Sequence, residues 1–207
     1  MLTIIDYGLG NIIAFKNIYD QLNIPVKVAK NKNDLNSTSR IILPGVGSFD
    51  WAIKRLNKSG MRETIEDLVT NKKIPILGVC VGMQIMALES EEGKENGLGW
   101  LKTGVKKFCN SLISDDENEQ FPIPHMGWNK IMLNQNSLLF EDINELEFYF
   151  LHSYFLNFST TDIILSSTNY ICKFVSSFQK DNIYGVQFHP EKSHDSGKKL
   201  LSNFAKI

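Results

Sequence analysis

Ile74-Pro75-Ile76-Leu77-Gly78-Val79-Cys80-Val81-Gly82-Met83-Gln84-Ile85-Met86-Ala87-Leu88 changes its hydrophobic pattern at its centre. Ile74 to Val79 reads as an apolar strand, and Met83 to Leu88 reads as a helix. Between them, Gly78-Val79-Cys80-Val81-Gly82 has the G-x-Nuc-x-G form of a nucleophile elbow. Flanking glycines permit a sharp strand-to-helix bend, so the central side chain stands above the sheet edge. The projected atom is a sulfur at a helix N-terminus, where unpaired N–H groups and the positive dipole end favour a thiolate. A lone cysteine is ordinarily a small buried hydrophobe; the elbow context makes Cys80 a candidate nucleophile. By the same geometry the Val81 N–H, one residue on, is a candidate oxyanion donor. A base is also required. Gln187-Phe188-His189-Pro190-Glu191 follows the apolar run Ile183 to Val186, so a second strand end could deliver His189, with Glu191 two residues later to orient its ring.

Working outward, apolar β-type runs recur at Leu2–Ile5, Val26–Val28, Arg40–Leu43 and Ile76–Val79, with amphipathic stretches between several of them. That alternation predicts a parallel α/β sheet flanked by helices. Ile12, Phe15, Ile18, Tyr19 and Leu22 make one apolar stripe for the first helix. From Trp100 to Gln187 the rhythm changes to short β-like segments of the kind found in antiparallel sheets, at Val105–Phe108, Trp128–Met132, Phe148–Leu151, Ile163–Ser166, Tyr170–Phe178 and Ile183–Val186. Gly93 to Gly97 reads as a turn, and Asp115-Asp116-Glu117-Asn118-Glu119 as a solvated loop. A closing helix is expected from about Asp195, burying Leu200, Leu201 and Phe204.

Size and composition narrow the function classes. A chain of 207 residues suits one domain, 1–207, with a core large enough to dispense with metal or disulfide staples. Three cysteines, Cys80, Cys109 and Cys172, form neither a disulfide framework nor a zinc pattern, which fits a reducing cytoplasm. No metal or cofactor is implied. With 22 basic and 23 acidic residues the net charge is −1, and no Lys/Arg cluster suggests a nucleic-acid footprint. No run reaches the ~20 apolar residues of a membrane helix.

Five separated stretches together resemble the class I (triad) glutamine amidotransferases. They are Asp6-Tyr7-Gly8-Leu9-Gly10-Asn11, Pro44-Gly45-Val46-Gly47, Gly78 to Gln84, Pro124-His125-Met126-Gly127-Trp128-Asn129, and Gly185 to Ser193. The elbow and the His-Pro-Glu step fit any member of that superfamily. The Pro-Gly-Val-Gly loop, the His-Met-Gly-Trp-Asn run and Lys192-Ser193 resemble the glutaminase subunits of imidazole glycerol phosphate synthases. The resemblance implies a flavodoxin-like fold, with a mostly parallel central sheet and a small antiparallel one.

It also implies the chemistry: Cys80 attacks the glutamine side-chain amide, ammonia leaves, and water clears a γ-glutamyl thioester, with His189 as acid and base and Glu191 fixing its tautomer. Val46, with Gly47 beside it, would supply a movable oxyanion donor alongside Val81, although Pro-Gly also suits an ordinary strand-end turn. Gln84, Glu92 and the run His152-Ser153-Tyr154 would bind glutamine, Ser153 through its hydroxyl. Asn11, His125, Met126, Trp128, Tyr149 and Lys192 have no part in the amide chemistry. The resemblance places them on a face that docks a (β/α)8 cyclase/synthase subunit, which receives the ammonia. Apart from the resemblance, an aromatic and Met cluster is core more often than interface, with Trp128 a candidate for burial, and the plain alternative for Asn11 is a helix N-cap. Three other readings stay open: a paralogue feeding an amino-sugar synthase, a non-catalytic binding subunit, and a stand-alone cysteine hydrolase.

Overall fold

A computed structural model describes residues 1–108, 121–158 and 161–207; the Asp115 to Glu119 loop lies outside these. The first half alternates β1 (Leu2–Ile5), α1 (Ile12–Gln21), β2 (Val26–Ala29), β3 (Arg40–Gly45), α2 (Phe49–Lys58), α3 (Arg62–Glu66), β4 (Ile76–Cys80) and α4 (Val81–Gln84). The second half is mainly strands: β5 (Glu89–Ser90), β6 (Gly104–Lys107), β7 (His125–Lys130), β8 (Met132–Leu133), β9 (Glu147–His152), β10 (Tyr154–Asn157), β11 (Ile164–Asn169), β12 (Lys173–Lys180) and β13 (Ile183–Val186), closed by α5 (His194–Phe204).

The largest sheet runs β2-β1-β3-β4-β13-β12-β11-β8. Its first five strands are mutually parallel, and the last three join antiparallel. Parallel strands are covered on both faces, which is why β1, β4 and β13 are buried at every residue and read as unbroken apolar runs. Burying each such aliphatic side chain contributes roughly 1.5–3 kcal/mol. The late strands divide among three sheets. β11 and β12 extend the main sheet, because β13 pairs with β4 on one edge and β12 on the other. The remainder form a β10-β6-β5 sheet and a β7-β9 ribbon.

The expected α1 stripe is present, with Phe15, Ile18 and Tyr19 buried and the Asn11 side chain accepting from the Ala14 N–H as N-cap. Tyr19 also donates its hydroxyl to the Leu201 carbonyl, 3.2 Å away, tying α1 to α5. The helix after the elbow stops at Gln84, short of the expected Leu88. Leu88 instead donates its N–H to the Thr103 carbonyl at 3.0 Å, drawing the chain off toward the small sheet. The segment expected at Trp128–Met132 divides at Ile131 into β7 and β8, which belong to different sheets. Tyr170 lies just before its expected strand, which begins at Lys173. Among the described residues no helix is long and apolar enough to cross a membrane.

Candidate active site

Cys80 is the last residue of β4 and turns the chain at φ 53°, ψ −112°, a left-handed conformation that costs a non-glycine residue energy. The strain therefore falls on the nucleophile itself. The flanking glycines serve close approach instead: a Cβ on Gly82 would run into the Leu43 carbonyl oxygen, and one on Gly78 would lie 2.8 Å from the Gly82 oxygen. These contacts draw α4 down onto β3 and β4, and the sulfur is left at the parallel strand ends, where open α/β sheets place their ligands.

β13 runs parallel beside β4 with Val186 opposite Val79, so the chain leaves the sheet next to the elbow and carries His189 there. Its Nδ1 lies 2.8 Å from Glu191 Oε1, and both side chains are buried, at 3% and 2% exposure. Glu191 Oε2 has no partner among the described residues, so the single bond to the ring defines the pair. The His189 N–H donates to the Tyr149 carbonyl at 2.8 Å, and the Ser193 hydroxyl donates to the His189 carbonyl at 2.6 Å. Burial opposes charge on the ring, but the charge of the Cys80 sulfur and the bonded Glu191 outweigh that. The His189 pKa is pushed up to about 10.

A cleft of about 240 Å³ opens over the sulfur, lined by Cys80 and His189 together with Val46, Gly47, Val81, Gln84, Glu92, His152, Ser153 and Tyr154. All the residues expected for catalysis except Glu191, which stands behind the ring, and all those expected for the oxyanion and glutamine thus share one cavity. The Pro44 to Gly47 loop reaches it because Gly45 is the register partner of Cys80. A side chain on Gly45 would collide with the Gly82 nitrogen. Glu92 accepts from the Phe49 N–H at 2.7 Å, capping α2 as well as facing the cleft. The His152 ring has no free nitrogen: Nδ1 bonds the Tyr154 carbonyl at 2.8 Å and Nε2 faces His125 Nδ1 at 3.1 Å.

The expected docking residues divide. Along β7 the pleat alternates, and Met126 (66% exposed) and Trp128 (43%) face outward. Trp128 stacks on His194 at 4.9 Å and meets Tyr149 edge-on, and Lys192 sits 5.5 Å over the Tyr149 ring. Asn11 is exposed. His125 differs: it is 3% exposed, stacked on Tyr170 and Phe150, and buried behind the ribbon with His152. Its place in the strand, one residue before outward-facing Met126, sets it on the inner face.

Sequence reasoning assigned no role to three groups here. Tyr7 is buried and donates its hydroxyl to the Pro44 carbonyl at 2.7 Å, bracing the glycine loop. Asp50 accepts from the N–H groups of Glu95 and Lys94, which holds its carboxyl below the usual range and steadies the segment that carries Glu92. Gln187 donates Nε2 to the Cys80 sulfur at 3.6 Å. Its place within the motif around His189 was the one available signal.

The family model for "Glutamine amidotransferase class-I" matches residues 3–207. A Bdellovibrio bacteriovorus protein called imidazole glycerol phosphate synthase subunit HisH is 50% identical over the full length of both chains. Its namesake in Leptospira interrogans is 45% identical, again over both full lengths. Among solved structures, a glutamine amidotransferase superposes with a TM-score of 0.74 at 16% identity, covering 100% of this chain and 99% of the other. PurLQS from Thermotoga maritima superposes at 0.70 with 14% identity, covering 99% and 97%.

Proposed function

The chain belongs to the class I glutamine amidotransferases, among the imidazole glycerol phosphate synthase HisH subunits, and from that premise we propose how its site works. It hydrolyses glutamine to glutamate and ammonia as the glutaminase subunit of that synthase. The observation that carries this reading is the single cleft into which the Cys80 sulfur and the His189 ring both open, with Glu191 orienting that ring from 2.8 Å.

The sulfur attacks the carboxamide carbon, and the carbonyl electrons move onto oxygen. The oxyanion is met by the Val81 N–H and, once the Pro44 to Gly47 loop presents it, by the Val46 N–H; losing one such donor typically costs about 10²–10³ in rate. His189 gives its proton to the departing nitrogen, the C–N bond breaks, and a γ-glutamyl thioester and ammonia remain. Water then adds to the thioester as His189 takes its proton, and sulfur leaves, regenerating the starting pair. Ser153, Tyr154 and Glu92 hold the amino-acid end of glutamine, and Gln84 acts through its oxygen, because its amide nitrogen bonds protein on both sides.

Residues 1–207 act as one domain in the cytoplasm. The face bearing Asn11, Met126, Trp128, Tyr149 and Lys192 docks a (β/α)8 cyclase that takes up the ammonia, and the relatives' names favour its imidazole glycerol phosphate product over an amino sugar. The test is glutamine-dependent imidazole glycerol phosphate formation with that partner subunit. Wild type should support it, and Cys80→Ala should retain only the rate sustained by added ammonia. Full glutamine-dependent activity in Cys80→Ala would overturn the reading.

A further inference from the structure

The polar contacts around the sulfur form a chain whose direction is dictated at one end. The Tyr154 carbonyl can only accept, so Gln84 must present Nε2 to it, at 2.9 Å. The same Nε2 reaches Gln187 at 3.0 Å, which obliges Gln187 to receive it on Oε1. What Gln187 then turns toward Cys80 is its NH₂ group, 3.6 Å from Sγ. The His pair obeys the same logic. His152 Nδ1 donates to Tyr154, its Nε2 accepts from His125 Nδ1, and His125 Nε2 is left to accept from the Asn129 amide at 3.2 Å. Both rings are kept neutral by burial, at about 3 for His152 and about 4 for His125. No rotamer flip of Gln187 is available without setting its NH₂ group against that of Gln84.

Among the described residues the sulfur makes two hydrogen bonds. The Leu151 carbonyl, 3.8 Å away, can hold only a thiol proton. His189 lines the same cleft and is the group that exchanges the proton in the reaction proposed above. Gln187 is fully buried and can only donate, so it favours the sulfur that has lost its proton. Tyr7, whose hydroxyl is bonded to the Pro44 carbonyl, and His152 and Glu92, which line the same cleft, make no hydrogen bond to it among the described residues.

We infer that Gln187 is a further catalytic residue, whose amide, locked in orientation by Gln84 and the Tyr154 carbonyl, donates to the Cys80 sulfur and stabilises it as a thiolate. This rests on Cys80 being the nucleophile. The bond is made both before attack and when sulfur leaves the thioester, so its loss slows turnover rather than weakening glutamine binding.

The test uses the full chain, alone and with its partner subunit, carrying Gln187→Met or Gln187→Leu, each of which removes the donor with an apolar side chain of similar size. Three quantities are read: the far-ultraviolet thiolate absorbance remaining after subtraction of Cys80→Ala, the rate of Cys80 alkylation by iodoacetamide at pH 7 followed by mass spectrometry, and kcat and KM for glutamine. The expected result is a smaller thiolate signal, alkylation and kcat each down about tenfold, the scale of one hydrogen bond to a charged group, and KM unchanged. A filler role alone would leave absorbance and alkylation at wild-type values in whichever variant folds, and that result overturns the inference. Failure of the function proposed above is distinguishable, since it shows as a wild type without glutamine turnover whatever the absorbance reads.

Discussion

Cys80 and Glu191 carry opposite structural costs. The cysteine occupies a left-handed backbone position that its neighbours over-determine, while Glu191 is a nearly inaccessible carboxylate held by one 2.8 Å contact. With Glu191→Gln the ring would face an amide that can present either oxygen or nitrogen, so the tautomer needed for proton transfer is no longer specified. We expect kcat to fall by roughly 10²–10⁴, as for other triads that lose the orienting carboxylate, with KM nearly unchanged; steady-state glutaminase kinetics in the presence of the partner subunit check this. Glu191 was recognisable because it lies two residues from His189 in the chain. Gln187 sits just as close, but its function depends on Gln84 and Tyr154, which arrive from other elements.

At the level of elements, the decisive contact is α4 lying against the end of β3. A methyl group on Gly82 would strike the Leu43 carbonyl, which is sheet backbone and cannot swing aside. Gly82→Ala should lower stability by about 1–3 kcal/mol, the usual penalty of overpacking, with a lower urea midpoint and loss of glutaminase activity. The β7-β9 ribbon has two working faces. Inward it buries His125, and outward it offers Met126 and Trp128 beside Tyr149 and Lys192. Aromatic residues of this kind dominate interface energies, so Trp128→Ala should weaken partner binding by ~2 kcal/mol, roughly thirtyfold, with the fold intact because the ring is 43% exposed; isothermal titration against the cyclase subunit measures it. Titration curves that match wild type would remove Trp128 from the docking face.

Across the whole molecule, the histidines give stability opposite pH slopes on the two sides of neutrality. Unfolded, His125 and His152 would bind protons below about pH 6.5; folded, burial delays this to about 4 and about 3. Their neutral packing is therefore fully stabilising above pH 6.5 and is lost as pH falls through that window. His189 behaves in reverse, holding its proton up to about 10 when folded, so its contribution is complete below pH 6.5 and disappears as pH rises toward 10. Urea midpoints measured from pH 4 to 10 should peak near neutrality, and Cys80→Ala should flatten the alkaline limb while leaving the acid limb in place. A wild-type alkaline limb with no slope would contradict the charged His189. What the sequence alone determined was local: the strand-to-helix switch at Cys80, the apolar stripe of α1, the buried parallel strands and the His-Pro-Glu step are all written in periodicity or spacing within a few residues. What only the tertiary structure decided was adjacency. Gln187 meets Cys80 across 107 positions of chain, His125 turns inward to His152 across 27, and β11 and β12 join the main sheet. Such pairings depend on which strand edges and cavities the folded chain leaves to be filled, a property of the whole packing that no window of residues contains.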